Sequence, residues 1–438
     1  MTSNPYPAPK DLDDLVQVLS SFTNDEKNRD FHKGRIRFDL KNMLQLCRAA
    51  GNPHLATPCI HITGSKGKGS TAWMLTRILQ SLGLKTGTYT SPHLESLTER
   101  IAVQEESLSE SHFVECSNKA LDLLRNDVQL RPTFFEFMTL TAMMAFRSFG
   151  VDVAIYEVGL GGRLDATNVV QPDVAIITMI EREHCAILGA TEEEIAQEKA
   201  GIIKRNTPVL SAMPKDQPAR AVVEARAKSL EAPFWAPGHG LELLTSETSN
   251  VSIEFQGLKL GPFKVPKPRS IQGPNLACAA GAAFLFTQQR GMAWDHAAVQ
   301  EGLDGFSLPG RFETVASAPT MILDGAHTPT SINAALREAG SLGNGLPVVI
   351  LGLAEDKEAD TILEMTRCLS RVTIFTSYNS GRSIDPAILQ HKSGHKGVVS
   401  TSIEHALNEA RSLAGSSGVV LVLGSFYLVG EARKVILS

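Results

Sequence analysis

Cysteine is scarce and scattered: six in 438 residues, at Cys47, Cys59, Cys116, Cys185, Cys278 and Cys368, with no Cys-x-x-Cys pair. That spacing speaks against a disulfide framework and a thiolate zinc site, and reduced thiols are the expectation. An excess of positive charge is missing too. The 42 Lys and Arg are outnumbered by 47 Asp and Glu, for a formal net charge of −5, which gives no electrostatic case for nucleic acid as a partner. No uninterrupted apolar run reaches the roughly 18 residues that a membrane span needs. Met1 to Leu15 is polar and lacks the apolar core of a signal peptide. No internal repeat and no low-complexity tract is visible. These absences predict a soluble, cytoplasmic protein with no membrane partner. What is present is ordinary for a globular chain, 43% hydrophobic and 20% charged, and the length predicts two domains with a core each.

Apolar runs alternate with helical patterns along most of the chain. Short amphipathic helices are predicted at Asp11 to Leu19 and Phe38 to Ala49, ahead of a strand at 58–63. Strands are predicted again at Leu84 to Tyr89, Val151 to Tyr156 and Val174 to Thr178, with helices at His112 to Leu124 and Phe134 to Phe149 between them. This alternation predicts an α/β fold with a mainly parallel sheet covered on both faces. The segment at about 233–272, with Val251-Ser252-Ile253-Glu254-Phe255 alternating, predicts a small antiparallel excursion. Helical patterns follow at Asn275 to Gln288 and Ala293 to Gly302. The Pro-Gly turn in Ser307-Leu308-Pro309-Gly310-Arg311 is the predicted boundary, giving domains 1–308 and 309–438. Beyond it, strands at 321–323, 347–351, 372–375 and 419–423 predict a smaller α/β domain.

The most informative stretch is His61-Ile62-Thr63-Gly64-Ser65-Lys66-Gly67-Lys68-Gly69-Ser70, set between a predicted strand and a helix pattern over Thr71 to Leu82. A glycine turn in that place presents backbone N–H groups and a helix N-terminus to a polyphosphate. Lys68 would reach the β/γ oxygens and Ser70 would offer its hydroxyl to Mg²⁺. Gly69 departs from the strict P-loop, which puts Ser or Thr directly after the lysine.

Other candidates stand at predicted strand ends, where open α/β sheets place their ligands. Tyr89-Thr90-Ser91-Pro92-His93 brings hydroxyls and an imidazole. Glu157 precedes Val158-Gly159-Leu160-Gly161-Gly162-Arg163 and is either an Mg²⁺ ligand or a carboxylate exposed at a strand end. His184, in Glu181-Arg182-Glu183-His184, is either a ligand or a structural histidine. Thr191 and Glu194 form a capping-box pattern that opens a helix running into Lys199. Lys199 is either a solvated helix lysine or a carbamylated lysine, an anion suited to a metal cluster. In the second domain, Asp324-Gly325-Ala326-His327 tips a strand–turn–helix start. Asp324 would accept from ribose or adenine and His327 would line the nucleotide or reaction cleft; a plain turn explains the tetrapeptide equally well.

These pieces together resemble the folylpolyglutamate synthase/dihydrofolate synthase group of Mur-type ligases. The residues that carry the resemblance are HITGSKGKGST (61–71), YTSPHL (89–94), TFFEFMTLTA (133–142), EVGLGGRLDATN (157–168), LGATEEEIAQEKAGIIK (188–204), LPGRFE (308–313), LDGAH (323–327) and GSFYLVGEARK (424–434). The resemblance implies a Mur-ligase P-loop ATPase domain with a parallel central sheet, a smaller Rossmann-like C-terminal α/β domain, and a catalytic cleft between them. It implies that Gly64, Ser65, Lys66, Gly67, Lys68, Gly69 and Ser70 bind ATP phosphates, and that Ser70, Ser91, Glu157 and His184 hold a pair of Mg²⁺ ions. Lys199 matches the carbamylated lysine. Asn275, Arg311, Asp324 and His327 fall where the family contacts ATP. Thr133, Phe135, Asp165 and Ala166 match the pterin-side pocket of the bacterial enzymes. A monomer is implied as well.

The chemistry implied is addition of L-glutamate to dihydropteroate, to reduced folates, or to both. ATP phosphorylates the acceptor carboxylate to an acyl phosphate, Lys68 and Mg²⁺ neutralise charge, and the amine of glutamate then displaces phosphate. His327 is the candidate base, and closure about 307–311 would exclude water. The chain departs from the family at Glu183, where Asp is usual, at Thr328, where Asn is usual, and at Gly381-Arg382-Ser383. Two other readings stand beside this one: a Mur-type ligase acting on another carboxylate, and a nucleotide-binding protein without ligase activity.

Overall fold

Uncharged runs such as Ile60-His61-Ile62-Thr63 and Val419 to Leu423 become strands buried along their whole length, as central parallel strands covered on both faces must be. The computed structural model describes residues 6–24, 39–245, 250–264, 269–343 and 345–438. It divides into two units. The first takes in Met1–His93, Leu97–Val265 and Gly273–Asp304, and the second Leu94–Ser96, Pro266–Gln272 and Gly305–Ser438.

The strands of the first unit's main sheet are β1 (Cys59–Thr63), β2 (Thr86–Tyr89), β3 (Ile101–Val103), β4 (Glu106–Ser107), β5 (Val153–Glu157), β6 (Val174–Ile177), β7 (Val209–Ser211) and β8 (Phe234–Trp235). Their order is β4-β3-β2-β5-β1-β6-β7-β8. All neighbours from β2 to β8 are parallel, and β3 and β4 add an antiparallel edge. Helices α1 (Leu12–Ser20), α2 (Lys41–Ala49), α3 (Lys68–Ser81), α4 (Glu110–Asn126) and α5 (Phe134–Phe149) precede β5. Later come α6 (Cys185–Leu188), α7 (Glu192–Lys199), α8 (Pro218–Ser229), α9 (Arg269–Gln288) and α10 (His296–Leu303). One apolar core lies under α1, α2, α4 and α5, around Met43, Phe113, Phe137 and Phe146. A second gathers Ile177, Ile195, Ile202 and Val223 beneath α7 and α8.

The antiparallel excursion is the three-stranded sheet β9 (Leu241–Thr245), β10 (Asn250–Phe255) and β11 (Leu258–Lys264). It is shorter than the sequence expectation, because Phe234–Trp235 instead extends the main sheet as β8; residues 246–249 and 265–268 lie outside those described. Phe38, the predicted start of α2, also lies outside them. α3 begins at Lys68 rather than Thr71, so Lys68, Gly69 and Ser70 form its first turn.

In the second unit, β12 (Glu313–Ser317), β13 (Thr320–Leu323), β14 (Val348–Leu351), β15 (Val372–Phe375), β16 (Val398–Val399) and β17 (Val419–Leu423) pair in the order β12-β13-β17-β14-β15-β16. Only β12 runs antiparallel in this sheet of described residues. Helices α11 (Pro329–Gly340), α12 (Ala359–Leu369), α13 (Pro386–Lys392), α14 (Ile403–Ala414) and α15 (Phe426–Leu437) accompany it. Cores on its two faces are built around Ile332, Leu336 and Leu421, and around Ile350, Ile374 and Leu428. A parallel sheet covered on both sides is the Rossmann-like pattern expected.

Candidate active site at the phosphate loop

The strand order β2-β5-β1-β6 sets the carboxyl ends of these four strands side by side. Segments far apart in sequence thereby converge on the loop after β1: Thr90-Ser91 after β2, Glu157 at the end of β5, and Thr178 after β6.

The loop is shaped by two glycines in conformations that side chains avoid. Gly64 has φ +149° and a methyl there would lie 1.8 Å from Thr178 Oγ1; Gly67 has φ +88° and caps α3 against the amide of Asn275, 2.3 Å from where its Cβ would be. Thr178 Oγ1 in turn donates to the Lys66 carbonyl at 2.6 Å. The Ser65 and Lys66 amides donate to the Met179 carbonyl at 2.8 and 3.3 Å. The glycine turn is expected to present backbone N–H groups to phosphate; these two amides are engaged instead with the exit of strand β6. The first-turn amides of Lys68 and Gly69 have no intrahelical acceptor and form the helix's positive end.

Two lysines meet on one carbonyl. Lys68 Nζ and Lys199 Nζ both donate to the Gly64 oxygen, at 3.0 and 2.9 Å. Lys199, at the end of α7, is 1% exposed and also pairs with Glu183 at 3.0 Å. Burial pushes the Lys199 ammonium below the usual lysine range; Glu183 pulls it back and Lys68 repels it. Burial disfavours the Glu183 carboxylate, but the Lys199, Lys68 and Lys66 charges outweigh it and hold the carboxyl well below its ordinary range. Glu183, singled out in the sequence as a departure from the resemblance, is the residue that reaches Lys199. No local pattern announced this pair.

Glu157 is buried, accepts the Ser91 amide at 3.0 Å on Oε2, and has both carboxylate oxygens 3.5–3.6 Å from where a Cβ on Gly69 would stand. Glu157, Ser91 and the first turn of α3 with Ser70 are thus together. His184 takes φ +45° at the start of α6, beside Glu183. Among the described residues no three His, Cys, Asp or Glu side chains gather at metal-ligand spacing. A donor set of one carboxylate, two hydroxyls and one imidazole suits a hard cation that keeps waters and leans on phosphate oxygens.

The loop after Glu157 is laced to α7 and to Ala200–Ile202. The Arg163 amide donates to the Glu198 carbonyl at 2.8 Å, Asn168 Nδ2 to the Arg163 and Gly201 carbonyls, and Lys204 Nζ to Asn168 Oδ1 at 2.9 Å. Thr133 caps α5 in a capping box with Glu136. Phe135 packs tilted against Tyr89, ring centroids 5.9 Å apart and planes at 45°, and presses on Gly159. Asp165 bonds the Gly159 amide and precedes Ala166. Of the four residues of the expected pterin-side pocket, Phe135 packs on the 159–166 loop and Asp165 and Ala166 belong to it, while Thr133 stands two residues before Phe135 at the start of α5.

In the second unit, Asp324 accepts the Phe312 amide at 2.8 Å and the Ala326 amide at 2.7 Å. Burial pushes its carboxyl up to about 6, against the pull of Arg311 and the two amides. The Arg311 guanidinium lies over the Phe426 ring, 4.1 Å from its centroid, and His327 Nδ1 donates to the Gly325 carbonyl at 2.8 Å. Asn275, by contrast, sits in the first unit against the phosphate loop.

Comparison with known proteins accounts for this arrangement. Residues 62–270 match the Mur ligase middle domain and residues 310–426 the Mur ligase glutamate ligase domain. The folylpolyglutamate synthase of Lacticaseibacillus casei is 30% identical over 409 residues, 91% of this chain and 95% of that protein. Escherichia coli FolC in complex with DHPP and ADP superimposes with a TM-score of 0.85 at 28% identity, covering 98% of both chains. The bifunctional folylpolyglutamate synthase/dihydrofolate synthase of Yersinia pestis, complexed with AMPPNP and Mn ion, gives a TM-score of 0.85 at 27% identity over 98% of this chain and 99% of that one. The chain belongs to the folylpolyglutamate synthase/dihydrofolate synthase family of Mur-type ligases.

Proposed function

We propose that this protein is an ATP-dependent ligase that joins L-glutamate to dihydropteroate, to reduced folates, or to both, through an acyl phosphate. The observation that carries the reading is the meeting of Lys68 and Lys199 on the Gly64 carbonyl, at the mouth of a helix N-terminus and beside buried Glu157. A carboxylate is a poor electrophile because its oxide is too basic to leave; transfer of a phosphoryl group to it creates a leaving group. The protein's task is to bring two anions together and keep water away. The Lys68 ammonium and the α3 amides draw the triphosphate in, and Lys68 stabilises charge on the transferring group. Ser70, Ser91, Glu157 and His184 would hold divalent metal, which supplies charge neutralisation at the phosphoryl oxygens when bound. Thr133, Phe135 and the Asp165–Ala166 turn line the pteroyl side, and Asn275, Arg311, Asp324 and His327 serve the nucleotide, with His327 the candidate base for the glutamate amine. Among the described residues no helix is long and apolar enough to cross a membrane. The reading includes a cytoplasmic monomer acting on small-molecule substrates.

Lys199 carbamylation belongs to the same proposal. Only a neutral amine adds CO₂, forming an N–C bond and releasing one proton, and burial favours the neutral amine here. The resulting carbamate would replace the Glu183–Lys199 ion pair by two anions, so Glu183 would swing away unless cations intervene. Carbon-13 bicarbonate NMR tests this: a carbamate signal present in the parent and lost in K199A is expected, and none in either refutes it.

The deciding experiment is a side-by-side assay with dihydropteroate and tetrahydrofolate, each with ATP, Mg²⁺ and L-glutamate, with products identified by mass. Phosphate release that requires both acceptor and glutamate is expected. Nucleotide binding without turnover on either acceptor would overturn the proposal in favour of a nucleotide-binding role. K68A should abolish turnover and leave the thermal midpoint near that of the parent; unchanged activity would remove Lys68 from its role.

A further inference from the structure

The segment Thr90-Ser91-Pro92-His93 is held at both ends by one residue. Tyr89 of β2 pairs with Ile101 of β3, and the Thr90 amide carries that ladder one step further by donating to the Arg100 carbonyl at 3.0 Å. Past Ser91 and Pro92 the chain comes back to the same residue, because Arg100 Nε donates to His93 Nδ1 at 2.9 Å. An arginine side chain has donors only and keeps its charge. His93 Nδ1 is therefore the acceptor, and the imidazole is neutral with its proton on Nε2.

Arg100 is 1% exposed, and a guanidinium is rarely buried so completely without a purpose in the fold or the site. It lies over the ring of Phe134, 5.1 Å from the centroid, and Phe134 is the first residue of α5. Between the two bonds to Arg100 stands Ser91, whose amide donates to Glu157 Oε2 at 3.0 Å. That bond joins two candidate metal ligands that come from the ends of β2 and β5. Fixing the chain one residue before Ser91 and two residues after it restricts where the Ser91 amide and hydroxyl can stand.

From this geometry we infer that Arg100 and His93 are positioning residues, a clamp on the Thr90–His93 segment that sets Ser91 against Glu157. The inference rests on the ligase reading only for its metal arm. The clamp makes and breaks no covalent bond. Its contribution is fixed geometry at a hydroxyl and a carboxylate that must meet one metal site within a fraction of an ångström.

H93L removes the acceptor for Arg100, whereas H93N returns a carbonyl oxygen close to the place of Nδ1. R100K keeps the charge and loses the Nε donor. In the parent without ligands, nitrogen-15 NMR of labelled histidine should show His93 with Nδ1 unprotonated and Nε2 protonated. Hydrogen exchange at the Ser91 amide should be roughly tenfold faster in H93L and R100K and near the parent in H93N, with exchange at the Ile60 and Ile62 amides of β1 unaltered in all three. With AMPPNP present, the Mn²⁺ dissociation constant read by electron paramagnetic resonance should rise severalfold in H93L and stay within about twofold of the parent in H93N. A protonated Nδ1 in the parent would overturn the inference. So would unaltered Ser91 exchange in H93L, an H93N variant indistinguishable from H93L, or acceleration spread equally over β1, the mark of general loosening. If R100K does not fold, the two His93 variants still decide. If the parent binds neither AMPPNP nor Mn²⁺, the ligase reading fails while the nitrogen spectra and the exchange still decide the clamp.

Discussion

Gly67 and Gly69 stand two residues apart and are glycine for different reasons. Gly67 needs its positive φ and the space that Asn275 fills, whereas a methyl on Gly69 would make ordinary contact with the Glu157 carboxylate. G67A should therefore lower the thermal midpoint and weaken nucleotide binding together. G69A should fold, gaining about 0.5–1 kcal/mol from a stiffer unfolded chain and helix propensity, yet bind metal more weakly because an apolar group faces Glu157. Calorimetry with an Mg²⁺ titration separates the two; equal stability losses would refute the distinction. His61 makes a pH prediction. Burial, with Lys204 adding repulsion, holds its imidazole down to about 3 from 6.5. Between those values the unfolded chain binds a proton that the folded one refuses, so this stability is present above about pH 6.5 and is lost as pH falls toward 3. Its share of the loss between pH 7 and 5 is on the order of 2 kcal/mol. Denaturant unfolding at both pH values checks it, with the slope reduced by that amount in H61Q.

At the scale of elements, the loop after β5 and the end of α7 are one interlocked piece. Gly162 packs against the Glu198 and Lys199 carbonyls, with its Cβ position 3.0 and 2.9 Å away, and Gly201 against the Arg163 backbone, 2.5 Å from its Cα. That close approach is what aims Lys199 inward at Gly64. G201A should cost about 1–3 kcal/mol through forced backbone shifts and lower the carbamate signal at Lys199; a fall in stability with the carbamate signal intact would detach the lock from lysine placement. The α7 start was legible, since Thr191 and Glu194 form the capping box their spacing announces. The 2–3-residue strands β3, β4, β7, β8 and β16 were not. Such short strands carry no periodicity of their own and are strands only because a neighbour offers an edge.

On the scale of the whole molecule, each unit has its own apolar cores, which predicts separate cooperative transitions. Leu421 is fully buried in β17. L421A should destabilise the second unit's transition by about 2–5 kcal/mol and leave that of the phosphate-loop unit in place. Scanning calorimetry of the full chain reads both, and a single transition displaced as a whole would show the units to be coupled. The units also divide near Gly305, just ahead of the Pro309-Gly310 turn that marks the boundary in sequence.

Local chemistry was readable without coordinates wherever one short segment contains its own cause. The glycine turn at 64–67, the carboxylate closing β5, the capping box of α7 and the uncharged runs of the central strands are of this kind, because backbone dihedrals, helix caps and side-chain burial act over a few neighbouring residues. Tertiary structure alone decided the rest: that the Ser65 and Lys66 amides go to Met179, that Glu183 reaches Lys199, and that His61 is tied through Thr167 to Asp165. Each joins residues between 16 and 114 positions apart. A hydrogen bond or ion pair depends on distances of about 3 Å, and only the folded sheet brings those atoms within reach.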